Sequence, residues 1–410
     1  GNCLMRRVVV TGLGVICSIG HDVPTFASAL REGRSGTGTI SSLDPAWLNT
    51  QVGAEVRDAS FDAVVPKPEQ RHLDRQSLLA IHAAQQAVTD AGFDSSADAP
   101  RCGVILGTGM GPCETIDSAI REVHIDKRKP RPTTIPRCMF NAASGQLSIR
   151  FGCKGPSQTI VTACASSAHA LGQAANFIRY GTADAFLAGG TEVFPSLSLL
   201  AAWDTLRVMS TSNDRPEAAS RPFNRDRDGF VMGEGAGVLL LESEERATAR
   251  GARIYGEIIG VGLSSDAHHI TQPQVEGLVY AMSNALADAQ LTPDQLDYIN
   301  AHGTATPIND PPETAAIRQV YGDHANRLMV SSTKSAHGHT IGAAGAIEAT
   351  ATLLGMAEGF VPATLNLTDP DPACDLDYVP LTPRDHRFDV AMSNSFAFGG
   401  HNVSLVFRRY

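Results

Sequence analysis

Cys164 stands in Val161-Thr162-Ala163-Cys164-Ala165-Ser166-Ser167, where a β-branched run gives way to small residues. That pattern predicts a strand that turns sharply into a helix, a geometry that presents a nucleophile. A thiol at a helix N-terminus faces unpaired N–H groups and the positive end of the dipole. A lowered pKa and thiolate chemistry are therefore expected at Cys164. Two imidazoles fall at comparable places later in the chain. His302 follows an apolar run in Asn300-Ala301-His302-Gly303-Thr304-Ala305-Thr306, and His339 comes just before Gly342-Ala343-Ala344-Gly345. Strand ends are where a layered α/β protein presents reactive side chains. One thiolate and two imidazole donors permit acyl-thioester chemistry with stabilisation of a developing oxyanion. Cys3, Cys17, Cys102, Cys113, Cys138, Cys153 and Cys374 read as structural or merely exposed. The other His do too, although His269, His337 and His401 lie close to the motifs.

The elements that must position these groups repeat. In the first half a helical run, Ala80 to Ala91, precedes a strand, Gly103 to Leu106, and then Gly107-Thr108-Gly109. In the second, Tyr280 to Ala289 precedes Leu296 to Asn300, and then Ala301-His302-Gly303-Thr304. Thr159-Ile160-Val161 and an Ala-rich helix from about Ala165 match Leu328-Met329-Val330 and an Ala/Gly-rich helix from about Ile341. Each half closes on a Gly-rich turn and an apolar strand, Gly233 to Leu241 and Gly399 to Phe407. Two such halves predict a duplicated α/β architecture with two parallel-type sheets packed together. The boundary falls between 1–254, which carries the Cys, and 255–410, which carries both His.

Composition narrows the function. The chain has 410 residues, 43% hydrophobic and 19% charged, which suits a globular protein rather than a disordered one. Lys+Arg 33 against Asp+Glu 43 gives a net charge of −10, which argues against a general nucleic-acid binder. No apolar run reaches the length of a membrane span. The eight Cys are scattered without CxxC pairs, which suggests neither a disulfide framework nor a zinc site. No secretory pattern is seen at the N-terminus, so a reducing cytoplasm is expected.

Taken together, Thr162-Ala163-Cys164, Asn300-Ala301-His302-Gly303-Thr304, Ser332-Thr333-Lys334-Ser335 with Gly338-His339, Gly342-Ala343-Ala344-Gly345, and Asn394-Ser395-Phe396 with Phe398-Gly399-Gly400 form one ordered set. In this the chain resembles β-ketoacyl-acyl carrier protein synthases of the type II elongating group over nearly its whole length. The resemblance implies the thiolase fold, a five-layer α/β/α/β/α sandwich of two pseudo-repeated halves, normally a homodimer. It implies that Cys164 accepts an acyl chain from acyl carrier protein. His302 and His339 would then stabilise the enolate formed as malonyl-carrier protein loses carbon dioxide, with no metal or redox cofactor. Cys164 and Phe398 would supply the oxyanion-hole N–H groups. Lys334 would pair with Asp310 or Glu313 and hold the loop carrying His339, and Glu348 would support the site. Thr304 and Thr306 would contact the phosphopantetheine arm, and Phe398 would gate the nucleophile. Met110, Trp203 and Thr134 would line the acyl pocket, Thr134 from across a dimer. Lys67, Arg71, Arg128, Lys129 and Arg207 would dock the acidic carrier.

The chain departs from the family pattern in places. Ala397 and His401 replace a Gly and a Thr in the Gly-rich run, and Ala397 is expected to stiffen the gate. Pro311-Pro312 is expected to stiffen a loop near the pantetheine site. Trp203 and Thr134 stand where Phe is common in the family, which opens a specialised polyketide or nodulation-type acyl substrate. Two other readings exist: a non-catalytic chain-length-setting subunit of a heterodimer, and a thiolase-like coenzyme A acyltransferase. Cys164 with both His argues against the first. The lack of a second Cys in the C-terminal Gly-rich turn argues against the second.

Overall fold

The computed structural model describes residues 5–410. Cys3 lies outside the described residues. Ten strands build the core: β1 (Val8–Cys17), β2 (Cys102–Gly107), β3 (Ser157–Ile160), β4 (Ala185–Glu192), β5 (Gly235–Ser243), β6 (Gly256–Ser265), β7 (Tyr298–Asn300), β8 (Met329–Ser331), β9 (Val390–Ala397) and β10 (His401–Arg408). Their spatial order is β8-β7-β9-β10-β6-β1-β5-β4-β2-β3. The first half thus runs β1-β5-β4-β2-β3, and the second runs β6-β10-β9-β7-β8 in the same sense. In the first half β1·β5 and β5·β4 are antiparallel while β4·β2 and β2·β3 are parallel. The second half repeats this with β6·β10 and β10·β9 antiparallel and β9·β7 and β7·β8 parallel. The expectation of parallel-type sheets is corrected: each is mixed, because its last strand, β5 or β10, runs antiparallel to the other four. The two sheets are also joined, by a short antiparallel contact of Val9 and Val10 with Glu257 and Gly256.

Helices fill three layers. α1 (Arg75–Ala91) and α2 (Ala142–Phe151) cover the first sheet, and α4 (Val275–Asp288) and α5 (Asp310–Tyr321) cover the second. α3 (Ser166–Arg179) and α6 (Ala344–Glu358) lie between the sheets. The result is the α/β/α/β/α sandwich. Composition explains the inner layer. α6 is buried at every position from Ala344 to Met356, and apart from Glu348 that stretch is apolar or small all round. A Cβ on Gly345 would lie 2.8 Å from the Ala168 Cβ, so the two inner helices meet backbone to backbone. The outer contacts repeat too. Gly12 and Gly14 of β1 leave no room for a Cβ beneath the Ala87 and Ala83 carbonyls of α1. Gly260 and Gly262 of β6 do the same beneath Ala285 and Ala281 of α4. Among the described residues no helix is long and apolar enough to cross a membrane.

Candidate active site

Cys164 sits in a tight turn, Ala163–Ala165, that leads straight into α3. Ala163 is held at φ +50°, a left-handed conformation that a non-glycine residue adopts only where its surroundings over-determine it. Ser166 supplies part of that constraint: its hydroxyl accepts the Thr162 N–H at 2.9 Å and donates to the Ala163 carbonyl at 2.7 Å. The backbone N–H groups of Phe398 and of Cys164 itself favour the thiolate. These are the two donors anticipated for the oxyanion hole. The expected lowering of the thiol pKa is corrected. Burial dominates and pushes Cys164 up to about 12, while the Lys334 charge and the two N–H groups pull the other way.

His302 follows β7. Glu313, in the first turn of α5, accepts the backbone N–H groups of His302 and Gly303, both at 2.8 Å, and so fixes the loop. Asp310 accepts the Phe223 N–H at 2.8 Å and pairs with Arg227 at 3.3 Å. Neither acid pairs with Lys334, which corrects that expectation. Lys334 instead bonds the carboxylate of Glu348 on α6 and reaches Nδ1 of His302 at 3.4 Å. The reason is geometric: Asp310 and Glu313 are taken by backbone donors and Arg227, while Glu348 faces Lys334 across the inner layer. An ammonium can only donate, so Nδ1 of His302 accepts and its proton stands on Nε2.

His339 is placed by its backbone. Its N–H donates to the Val231 carbonyl at 2.7 Å, and its carbonyl accepts from Gly233 at 2.8 Å. Its ring lies 5.5 Å from that of His302 and meets the Phe230 ring edge-on at 5.3 Å. Burial, then the Lys334 charge, holds both imidazoles well below the ordinary histidine range, so both are neutral near neutral pH. Cys164, His302 and His339 line one cavity of about 50 Å³, together with Thr304, Thr306 and Phe398. A buried thiol, two neutral imidazoles and two backbone donors can bind a thioester carbonyl and an enolate oxygen side by side.

Comparison with known proteins is decisive. Residues 5–247 match the beta-ketoacyl synthase N-terminal domain, and residues 255–368 match the beta-ketoacyl synthase C-terminal domain. The chain belongs to the beta-ketoacyl synthase family. The synthase is 45% identical over 414 residues to 3-oxoacyl-(acyl-carrier-protein) synthase 2 of Synechocystis sp., covering 100% of this chain and 99% of that relative. It is 43% identical over 406 residues to nodulation protein E of Rhizobium leguminosarum bv. trifolii, covering 98% and 99%. A solved type II PKS acyl-carrier protein in complex with its ketosynthase bound to the hexaketide matches with a TM-score of 0.92 and 31% identity. The match covers 99% of this chain and 100% of that one. The synthase is a condensing acyltransferase.

An aromatic wall bounds the cavity. Trp203 of the synthase stacks on Phe398 with ring centres 5.9 Å apart and planes 27° apart, and stands edge-on to Phe230 at 5.6 Å. Its indole N–H donates to the Met110 sulfur at 3.3 Å. Thr134 does not line this cavity. It opens a short helix, Thr134–Cys138, beside a separate polar groove with Asp74, Arg131 and Arg137. Two expectations about stiffening are corrected. Pro311 and Pro312 form the first turn of α5 rather than a loop, where their missing N–H groups have no helical partner to lose. Ala397 ends strand β9, paired with His401, so the turn proper is Phe398-Gly399-Gly400 and keeps both glycines at positive φ.

His337 is a satisfied buried residue, bonded to the Gly338 carbonyl at 2.8 Å and the Thr333 hydroxyl at 3.1 Å. His269 does line the cavity, on a loop whose Ile270 carbonyl accepts the Gly399 N–H at 2.7 Å. Sequence reasoning missed Phe230 and Ile341, which line the cavity, and Glu192 behind it. A lone Glu closing the apolar run Ala185-Phe186-Leu187-Ala188-Gly189-Gly190-Thr191 was the available signal for Glu192. Lys67, Arg71, Arg128, Lys129 and Arg207 are all exposed, with Lys67 paired to Asp62 at 3.4 Å and Arg128 to Glu122 at 3.2 Å.

Proposed function

We propose that the synthase joins an acyl chain held on Cys164 to a malonyl unit carried by acyl carrier protein, giving 3-oxoacyl-carrier protein and carbon dioxide. The observation that carries this reading is the convergence of Cys164, His302, His339 and the Phe398 N–H on one buried cavity. The thiol first attacks the acyl thioester, loses its proton and expels the carrier thiol. The N–H groups of Cys164 and Phe398 hold the tetrahedral oxyanion. Malonyl-carrier protein then enters along Thr304 and Thr306. His302, and His339 with it, donate to the malonyl thioester oxygen. As the carboxylate leaves as carbon dioxide, the electron pair of its C–C bond forms the enolate. The enolate carbon attacks the acyl-Cys carbonyl and the Cys164 sulfur leaves. Decarboxylation supplies the carbanion, so the cycle needs neither metal nor redox cofactor.

A homodimer in the cytoplasm is part of this reading, with exposed cations serving an acidic carrier. The relatives named 3-oxoacyl-(acyl-carrier-protein) synthase 2 and nodulation protein E support either a primary or a specialised pathway. The Trp203–Phe398–Phe230 wall favours a flat or unsaturated acyl group over a purely saturated one. The test is reconstitution with acyl- and malonyl-carrier protein. Release of one carbon dioxide per 3-oxoacyl-carrier protein supports the reading. Acyl transfer to free coenzyme A without carbon dioxide release contradicts it.

A further inference from the structure

Glu192 ends β4, is fully buried, and takes no part in the steps above. Among the described residues it pairs with no Lys, Arg or His. Four donors converge on it instead. Oε2 accepts the backbone N–H groups of Gly109 at 2.6 Å and Gly342 at 2.9 Å. Oε1 accepts the Met110 N–H and the Thr108 hydroxyl, both at 3.1 Å. Three of these donors belong to the loop after β2, in the first half. The fourth belongs to the turn into α6, in the second.

The two backbones touch at this point. A Cβ on Gly342 would lie 2.2 Å from the Gly109 nitrogen, and one on Gly109 would lie 2.6 Å from Ile341. Each side carries a residue of the reaction chamber. The loop holds Met110, which receives the Trp203 N–H. The turn follows two residues after His339 and opens on Ile341, a β-branched residue at φ +45°. Such a conformation needs an external hold. The Gly342 N–H bond is one residue away from it.

We propose that Glu192 is a positioning residue that locks the His339 turn to the acyl-pocket wall, and that it does so only as a carboxylate. The inference rests on the reading of Cys164, His302 and His339 as the condensing machinery. Three of the four partners are N–H groups that can only donate, and the Thr108 oxygen already accepts the Gly111 N–H at 3.1 Å, so protonation would set an O–H among donors and release part of the lock. Burial pushes this carboxyl up to about 7, against the four hydrogen bonds. The lock therefore loosens as pH falls through about 7. The titratable groups that feel its charge are the thiols of Cys164, at the start of α3, and Cys113, at the start of the helix Cys113–His124.

The experiment measures kcat and KM for condensation by the intact protein, with acyl- and malonyl-carrier protein, from acid to alkaline pH. Glu192→Gln keeps the shape but points an NH2 at donors. It should lower kcat by roughly 10²-fold, the scale of a small misplacement of reacting groups, with KM little changed. Thr108→Val removes one bond that holds the carboxyl pKa down, so the acid limb of the kcat profile should move to higher pH. Glu348 also lies near 7, but its neighbour is Lys334, so a limb that moves with Thr108 belongs to Glu192. An unmoved limb in a folded Thr108→Val protein overturns the proposal, whatever Glu192→Gln does. Absence of condensation in the wild-type protein would instead overturn the functional reading.

Discussion

The two turns that enter the inner helices have the same build and opposite chemistry. In the first half, Ala163 at φ +50° opens the turn Ala163–Ala165 and α3 follows. In the second, Ile341 at φ +45° opens the turn Ile341–Ala343 and α6 follows. Cys164 and Gly342 thus occupy equivalent places. The first half reaches its turn within two residues of β3, while the second inserts residues 332–340 after β8. That insertion carries Lys334 and His339. On the proposed mechanism the two copies divide the labour: one supplies the nucleophile at the helix start. The other gave up a side chain there and used a longer approach to bring in donors.

Breaking the first copy should have the largest effect. Cys164→Ala should remove condensation by roughly 10⁴-fold or more, on the scale of deleting other catalytic nucleophiles, in a protein that still folds. Circular dichroism and product mass spectrometry check both halves of that statement. Breaking the second copy should cost less. Removal of the donor in His339→Ala should lower kcat by about 10²–10³-fold, the scale of losing one oxyanion donor.

The charge that links the copies can be read through the thiol. Because burial pushes Cys164 up to about 12, its alkylation by iodoacetamide should keep rising with pH through the neutral and mildly alkaline range. Lys334 opposes that push, so Lys334→Met should move the curve to still higher pH. A plateau near neutrality would show a thiolate already formed and contradict the electrostatic account.

Gly342→Ala sharpens the equivalence of the two turns. Its Cβ would meet the Gly109 nitrogen at 2.2 Å, so a loss of about 1–3 kcal/mol is expected by denaturant unfolding. The smallest effect is on selectivity. Trp203→Ala should change kcat/KM ratios between saturated and unsaturated acyl groups by about 10-fold, since pocket discrimination per small group is of that order. A uniform loss across substrates would assign Trp203 to packing alone.

Much of this was legible from residues. The Cys164 turn could be read because a β-branched run met small residues, and the pseudo-repeat because apolar strands recurred before matching Gly-rich turns. The strand order was not legible. Nothing local tells β5 and β10 to return antiparallel between strands distant in sequence. The partner of Lys334 was misread for a similar reason: Glu348 lies on a later helix, and only packing of α6 shows which acid faces the lysine. The thiol pKa was misjudged because the helix dipole is local while burial is a property of the whole sandwich. Thr134 shows a further limit, since its neighbours in sequence do not reveal that it stands beside a polar groove away from the cavity.

The division of labour between the copies is tested most directly by single-turnover mass spectrometry of the intact protein. Acyl-carrier protein is added alone, and malonyl-carrier protein afterwards. The account predicts that His339→Ala takes up one acyl group on Cys164 and then stalls, while Cys164→Ala takes up none. An acyl-loaded Cys164→Ala protein, or a His339→Ala protein that fails to load yet remains folded, would contradict it.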